Sequence, residues 1–212
     1  MKLYLGSCDL GTNQEELTKW IKNYGKDIVL IPNALDVIYD LSLKQDIINS
    51  DKQMLEDVGF NVKVESLKNY FGNYQNLKER FDNYKAFYTI GGNVFTLRKA
   101  MELSGFDTYL KGLSKQKDLL YGGYSAGICV LATNIDILEL ADEQRNPYNG
   151  DIFFKPGLGL IDYLPIPHCE SPNQGRTMEE IVKYCKKYNV KYKTIKDGQS
   201  MIDDTMSLGL EM

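Results

Sequence analysis

The sequence predicts an α/β fold, a three-layer αβα sandwich around a mostly parallel central sheet. Three observations predict it. Strand-like and helix-like segments alternate over the first ~130 residues, the pattern of a parallel sheet with helices on both faces. Residues 27–32 (Asp-Ile-Val-Leu-Ile-Pro) are almost continuously apolar, which suits a strand covered on both faces. The segments 86–90 and 119–123 both run into glycines. Two glycine-rich strand ends therefore fall on the carboxyl edge, where sheets of this kind hold their ligands.

Each element has its own warrant. Residues 2–6 read as a short strand. Thr12 and Glu15 have capping-box spacing ahead of Leu17, Trp20, Ile21 and Tyr24, which repeat at helical spacing until Gly25. After the strand at 27–32, a helix is expected over 50–58, stopping at Gly59. Residues 61–67 alternate with period two and read as a strand. A helix over 77–84, a strand over 86–90, a helix over 94–103, a strand over 119–123 and a helical stretch over 126–132 follow. Beyond Asn134 the pattern changes. Residues 152–154 and 158–161, broken by Gly157 and Gly159, predict a hairpin or meander. A strand over 164–167 ends at His168, a helix covers 178–188 and a strand 190–195. Residues 199–202 and 206–210 predict small closing antiparallel strands. With no repeat, low-complexity tract or linker, a single domain over 1–212 is expected.

Composition narrows the function. The chain has 212 residues, 43% of them apolar and 25% charged, which is ordinary globular usage. With 25 basic and 29 acidic residues the net charge is −4, so no broad electrostatic footprint for nucleic acid is visible. No apolar run reaches the ~18 residues a membrane helix needs. The first residues run into a polar segment at 9–16 and lack a signal-peptide core. Cys8, Cys129, Cys169 and Cys185 are far apart, with no zinc or thioredoxin spacing, so reduced thiols in a cytoplasm are expected. His168 is the single histidine. Any mechanism that needs an imidazole must use it.

The strongest chemical signal is Gly123-Tyr124-Ser125-Ala126-Gly127, between an apolar strand and a helix-compatible run. In that context G-x-S-x-G is a nucleophile elbow. A sharp turn projects the serine hydroxyl, small flanking residues let backbones approach, and the Ala126 amide points at a developing oxyanion. Gly91-Gly92-Asn93, after the strand at 86–90, offers a second backbone donor from a neighbouring strand end. Asn93 is also a natural helix cap. A serine hydroxyl needs a general base, and imidazole is the commonest choice. That role falls to His168. The group that orients the imidazole is Asp197 by preference, at a strand end before Gly198, with Asp136, Asp142 and Glu170 as alternatives.

These residues resemble the peptidase E family of serine peptidases. Members are relatives of the class I glutamine amidotransferase-like fold, with cyanophycinases more distant. Ile90-Gly91-Gly92-Asn93-Val94-Phe95-Thr96-Leu97 is similar to the family's G-G-N-T-F-x-L, and Gly123 to Gly127 to its G-x-S-A-G segment. The stretch from Leu158 through Pro167-His168 is similar to a segment ending in proline-histidine. Ile195-Lys196-Asp197-Gly198 resembles a late P-E-G or D-G segment. The resemblance implies Ser125 as nucleophile, His168 as base, and the amides of Gly92 (or Gly91) and Ala126 as oxyanion hole. A glutamate acts as the acid in family members where Asp197 stands here, one methylene shorter. An aspartate soon after the nucleophile helix has also been considered, and Asp136 or Asp142 is its counterpart. Peptidase E cleaves dipeptides with an N-terminal aspartate, a side chain that calls for a cation. Arg176, eight residues past His168, lies near the family's carboxylate-binding positions, and Asn93 and Arg176 are the candidate substrate-binding residues. The expectation is a cytoplasmic serine peptidase for short peptides, in its narrowest form a dipeptidase preferring N-terminal aspartate. It carries no metal or cofactor, has no nucleic-acid or membrane partner, and is a monomer or homodimer. The alternatives are an esterase or amidase on the same scaffold, or a catalytically silent ligand-binding protein.

Overall fold

The computed structural model describes residues 1–149 and 156–205. In chain order the elements are β1 (Lys2–Gly6), α1 (Gln14–Tyr24), β2 (Asp27–Ile31), α2 (Leu41–Val58), β3 (Asn61–Val64), α3 (Tyr74–Phe81), β4 (Ala86–Thr89), α4 (Val94–Ser104), α5 (Phe106–Leu113), β5 (Leu120–Tyr124), α6 (Ala126–Cys129), β6 (Leu164–Cys169), α7 (Gly175–Tyr188), β7 (Tyr192–Lys196) and β8 (Ser200–Asp204). The central sheet has the order β3-β2-β4-β5-β1-β8. Its first five strands are mutually parallel, and β8 closes the edge antiparallel to β1. The strands β6 and β7 form a separate two-stranded ladder, and it is parallel.

Alternation along the strands builds two cores. Leu3, Leu5, Val29, Ile31, Phe87 and Tyr121 face α4, α5 and α7, which bring Phe95, Leu97, Met101, Phe106, Leu110 and Ile181. Tyr4, Ile28, Leu30 and Tyr88 face the other way, onto Leu17 and Trp20 of α1 and Ile48 and Leu55 of α2. Burial on both faces is why the central strands read as apolar runs.

Several expectations are corrected. The capping box does not form: α1 is capped at Asn13, with no side-chain bond to its own first turn. Asn13 Nδ2 instead donates to the Ser200 carbonyl at 2.6 Å, fastening β8 to the start of α1. The helix expected over 50–58 begins at Leu41, where Asp40 accepts from the amides of Ser42 and Leu43. Leu41 and Leu43 are exposed, so the first turns carry no apolar stripe that sequence periodicity can register. The helix α5 was not anticipated. Gly105 takes φ 78° and both ends α4 and starts α5, so a residue that reads as a stop is a corner. Residues 158–161 form no strand. Their amides at Leu158, Gly159 and Leu160 bond the carbonyls of Val130, Ala132 and Leu131, lashing an irregular segment to the end of α6. The short segment expected at 152–154 and the closing strand at 206–210 lie outside the described residues.

Candidate active site

Five strand ends meet at one edge. Ser7 follows β1, Gly91 and Gly92 follow β4, Ser125 follows β5, His168 is the penultimate residue of β6 and Asp197 follows β7. Ser125 has φ 50° and ψ −119°, a strained conformation for a side-chain-bearing residue. The tight approach beneath it explains the flanking glycines. A Cβ on Gly127 would lie 2.4 Å from the Thr89 carbonyl oxygen, and one on Gly123 2.8 Å from the same atom. The pentapeptide is therefore pressed against the end of β4.

His168 reaches the site through a bulge. Ile166 pairs with Thr194 and Cys169 with Lys196, so Pro167 and His168 together face the single residue Ile195. His168 takes φ 56° there. Its Nε2 lies 3.0 Å from Ser125 Oγ, and its Nδ1 lies 2.8 Å from Asp197 Oδ1. An Nδ1–H donated to Asp197 leaves Nε2 free to accept the Ser125 proton. Asp197 also accepts from the Ser7 hydroxyl at 2.8 Å, and the same Ser7 oxygen accepts the His168 amide at 2.7 Å. Ser7 is wholly buried. It is the functional candidate that sequence reasoning missed, although its place after β1 matches the strand-end signal used for the others. Partial burial works to raise the Asp197 pKa. The hydrogen bonds from Ser7, His168 and Ser171 and the charge on His168 outweigh it, and the carboxyl sits below its usual range.

The other acid candidates stand elsewhere. Asp136 is exposed at the start of the 3₁₀ turn Asp136–Leu140. Glu170 pairs with Lys196 at 2.6 Å. Asp142 does approach the site, but its Oδ2 accepts the Val94 amide at 2.8 Å at the start of α4. Burial pushes its carboxyl up, against the downward pull of the Val94 amide and of His168.

A cavity of about 360 Å³ opens beside Ser125 and His168. Gly92 and Ala126 line it, and among the described residues neither of their amides has an acceptor. Gly91 does not line it; its amide faces the Tyr124 hydroxyl. Asn93 acts as a cap, accepting from the Thr96 amide at 2.9 Å and donating to the Glu143 carbonyl at 2.8 Å. Arg176 is exposed in the first turn of α7 and is absent from the cavity wall, to which α7 sends Thr177 and Met178. Cys129 lines the cavity, but its thiol donates to the Pro165 carbonyl at 3.4 Å and burial pushes its pKa far up. A thiolate nucleophile is not available there. Among the described residues no His, Cys, Asp and Glu side chains cluster as a metal site, and no helix is long and apolar enough to cross a membrane.

Comparison with known proteins gives the geometry a context. The family model for peptidase family S51 matches residues 4–207. The crystal structure of a candidate peptidase E protein from Listeria monocytogenes EGD-e superposes with a TM-score of 0.73 at 20% identity, covering 97% of this chain and 98% of that one. The structure of a peptidase from an acI-B1 Actinobacterium gives a TM-score of 0.66 at 15% identity, covering 96% and 83%. At these identities the two structures establish likeness of fold. No curated protein sequence matches significantly.

Proposed function

Because the chain belongs to peptidase family S51, and is therefore a hydrolase of the serine peptidase kind, we propose that it cleaves short peptides with Ser125 as nucleophile, His168 as general base and Asp197 as the orienting acid. The observation that carries this reading is the continuous chain of contacts, 3.0 Å from Ser125 Oγ to His168 Nε2 and 2.8 Å from His168 Nδ1 to Asp197 Oδ1. Ser125 Oγ attacks the scissile carbonyl carbon as its proton passes to Nε2. The carbonyl oxygen becomes an oxyanion received by the amides of Gly92 and Ala126, which are free to donate and line the same cavity. His168 then protonates the leaving amine, and water activated by the same imidazole resolves the acyl-enzyme. Asp197 keeps Nδ1 protonated and steadies the imidazolium that forms. Arg176 is not part of this reading, and neither is a preference for N-terminal aspartate. No lysine or arginine lines the cavity among the described residues.

A dipeptide panel run beside small esters tests the proposal and separates a peptidase from an esterase. Ser125→Ala and His168→Ala are each expected to lower turnover by at least about 10³-fold with the fold intact. A fluorophosphonate is expected to label Ser125 in the wild type. Undiminished hydrolysis by Ser125→Ala would refute the assignment.

A further inference from the structure

We infer that the cavity beside Ser125 selects substrates carrying a positive charge close to the scissile carbonyl, and that Asp142 is the residue that receives this charge. The inference rests on the proposed role of Ser125 and deepens it by naming a substrate class. Asp142 is a cavity-lining residue with one oxygen engaged, Oδ2 on the Val94 amide at 2.8 Å. Its second oxygen meets no donor among the described residues, yet it is not sealed in the protein. A half-buried carboxylate with a free lone-pair face lacks the partner that usually offsets its desolvation. Apart from the His168 imidazole, the described wall around it offers no cationic side chain. Of the four arginines, Arg80 pairs with Glu65, Arg98 with Asp107 and Arg145 with Glu143, while Arg176 is exposed. The described lining holds no lysine either. A substrate carboxylate placed here would face Asp142 with no lysine or arginine of the described lining to offset it. A substrate ammonium would complete it, while Leu138 and Met178 cover an aliphatic stem.

The ammonium can come from a free α-amine or from a basic side chain, and three anilides separate these sources. Alanine p-nitroanilide carries only the α-amine, Nα-acetyl-lysine p-nitroanilide only the side-chain amine, and Nα-acetyl-norleucine p-nitroanilide neither. One or both cationic substrates are expected to exceed the norleucine compound in kcat/KM by about 10- to 100-fold, the worth of a charge-assisted hydrogen bond. Asp142→Asn keeps an acceptor for the Val94 amide but removes the charge. It is expected to collapse that ratio to within a few-fold of unity.

Equal cleavage of all three by the wild type overturns the cation site. So does a loss in Asp142→Asn that is the same for every substrate, which would leave the carboxyl as a support for α4 alone. If no anilide is cleaved, calorimetry on the wild-type chain with the corresponding amides decides, and equal binding of all three overturns the site. Failure of Ser125 to take up a fluorophosphonate reports separately on the proposed function, because that probe carries no cation.

Discussion

Ser7 donates to Asp197 and accepts the His168 amide through one oxygen, so a single hydroxyl links His168 of β6 to Asp197 just beyond β7. Replacing it with alanine leaves a buried amide without an acceptor, at a cost of about 1–3 kcal/mol, and frees the carboxylate to rotate. Ser7→Ala is therefore expected to lower kcat roughly 10-fold with little change in KM, because the cavity wall is untouched while the His168 imidazole loses its fixed orientation. Steady-state kinetics with a thermal melt check this, and an equal rise in KM would point to a disturbed cavity instead. At this scale much of the candidate site was legible. The elbow pattern and the sole histidine single out Ser125 and His168, and a strand-end position ranks Asp197 first among the acids while leaving Asp136, Asp142 and Glu170 open. Ser7 was not, because its strand-end position comes with no glycine pattern or unique residue type to mark it; its partners lie 161 and 190 residues away.

The elbow shows how an element is tuned by its neighbours. The four-residue helix α6 lies against the end of β4 so closely that Gly127 has no room for a methyl group. The obstructing atoms belong to the Thr89 backbone, which cannot swing aside as a flexible side chain would. Gly127→Ala is expected to destabilise the chain by about 1–3 kcal/mol, a fall in melting temperature of several degrees, and to lower turnover by moving Ser125 off His168. Normal melting with normal activity would mean that β4 yields easily. Elements with a buried stripe, such as the helix α4, were readable from periodicity. The start of α2 and the whole of α5 were not. The first is held by the Asp40 cap beneath exposed leucines, and the second by a glycine corner.

The two faces of the molecule are joined through the residue before Ser125. The Tyr124 hydroxyl donates to Asp51 of α2 at 2.8 Å, tying the end of β5 to the helix layer opposite α4. Burial raises the Asp51 carboxyl from 3.8 to about 6, against the downward pull of the Tyr124 hydrogen bond. The folded chain thus holds this proton more tightly than the unfolded chain does. Stability contributed by the protonated form is complete below pH ~4 and is lost as pH rises toward ~6, by an amount of up to about 3 kcal/mol. Asp51→Asn retains an acceptor for Tyr124 and cannot ionise. It is expected to gain stability over the wild type at pH 7 and none at pH 4, as read by urea denaturation at both values. An equal gain at both would remove titration as the cause.

Layering, the parallel sheet and the candidates Ser125 and His168 were already written in the sequence. These depend on patterns a few residues long: apolar runs, helical spacing, and glycines flanking a serine. The pairing of His168 with Asp197 rather than Asp136 or Asp142, the bulge that aims the imidazole, the buried Ser7 and the exposure of Arg176 were decided by tertiary structure. Each of these depends on how strand ends far apart in the chain come together, and a hydrogen bond of 3 Å is set by the packing of whole layers, which no local pattern encodes.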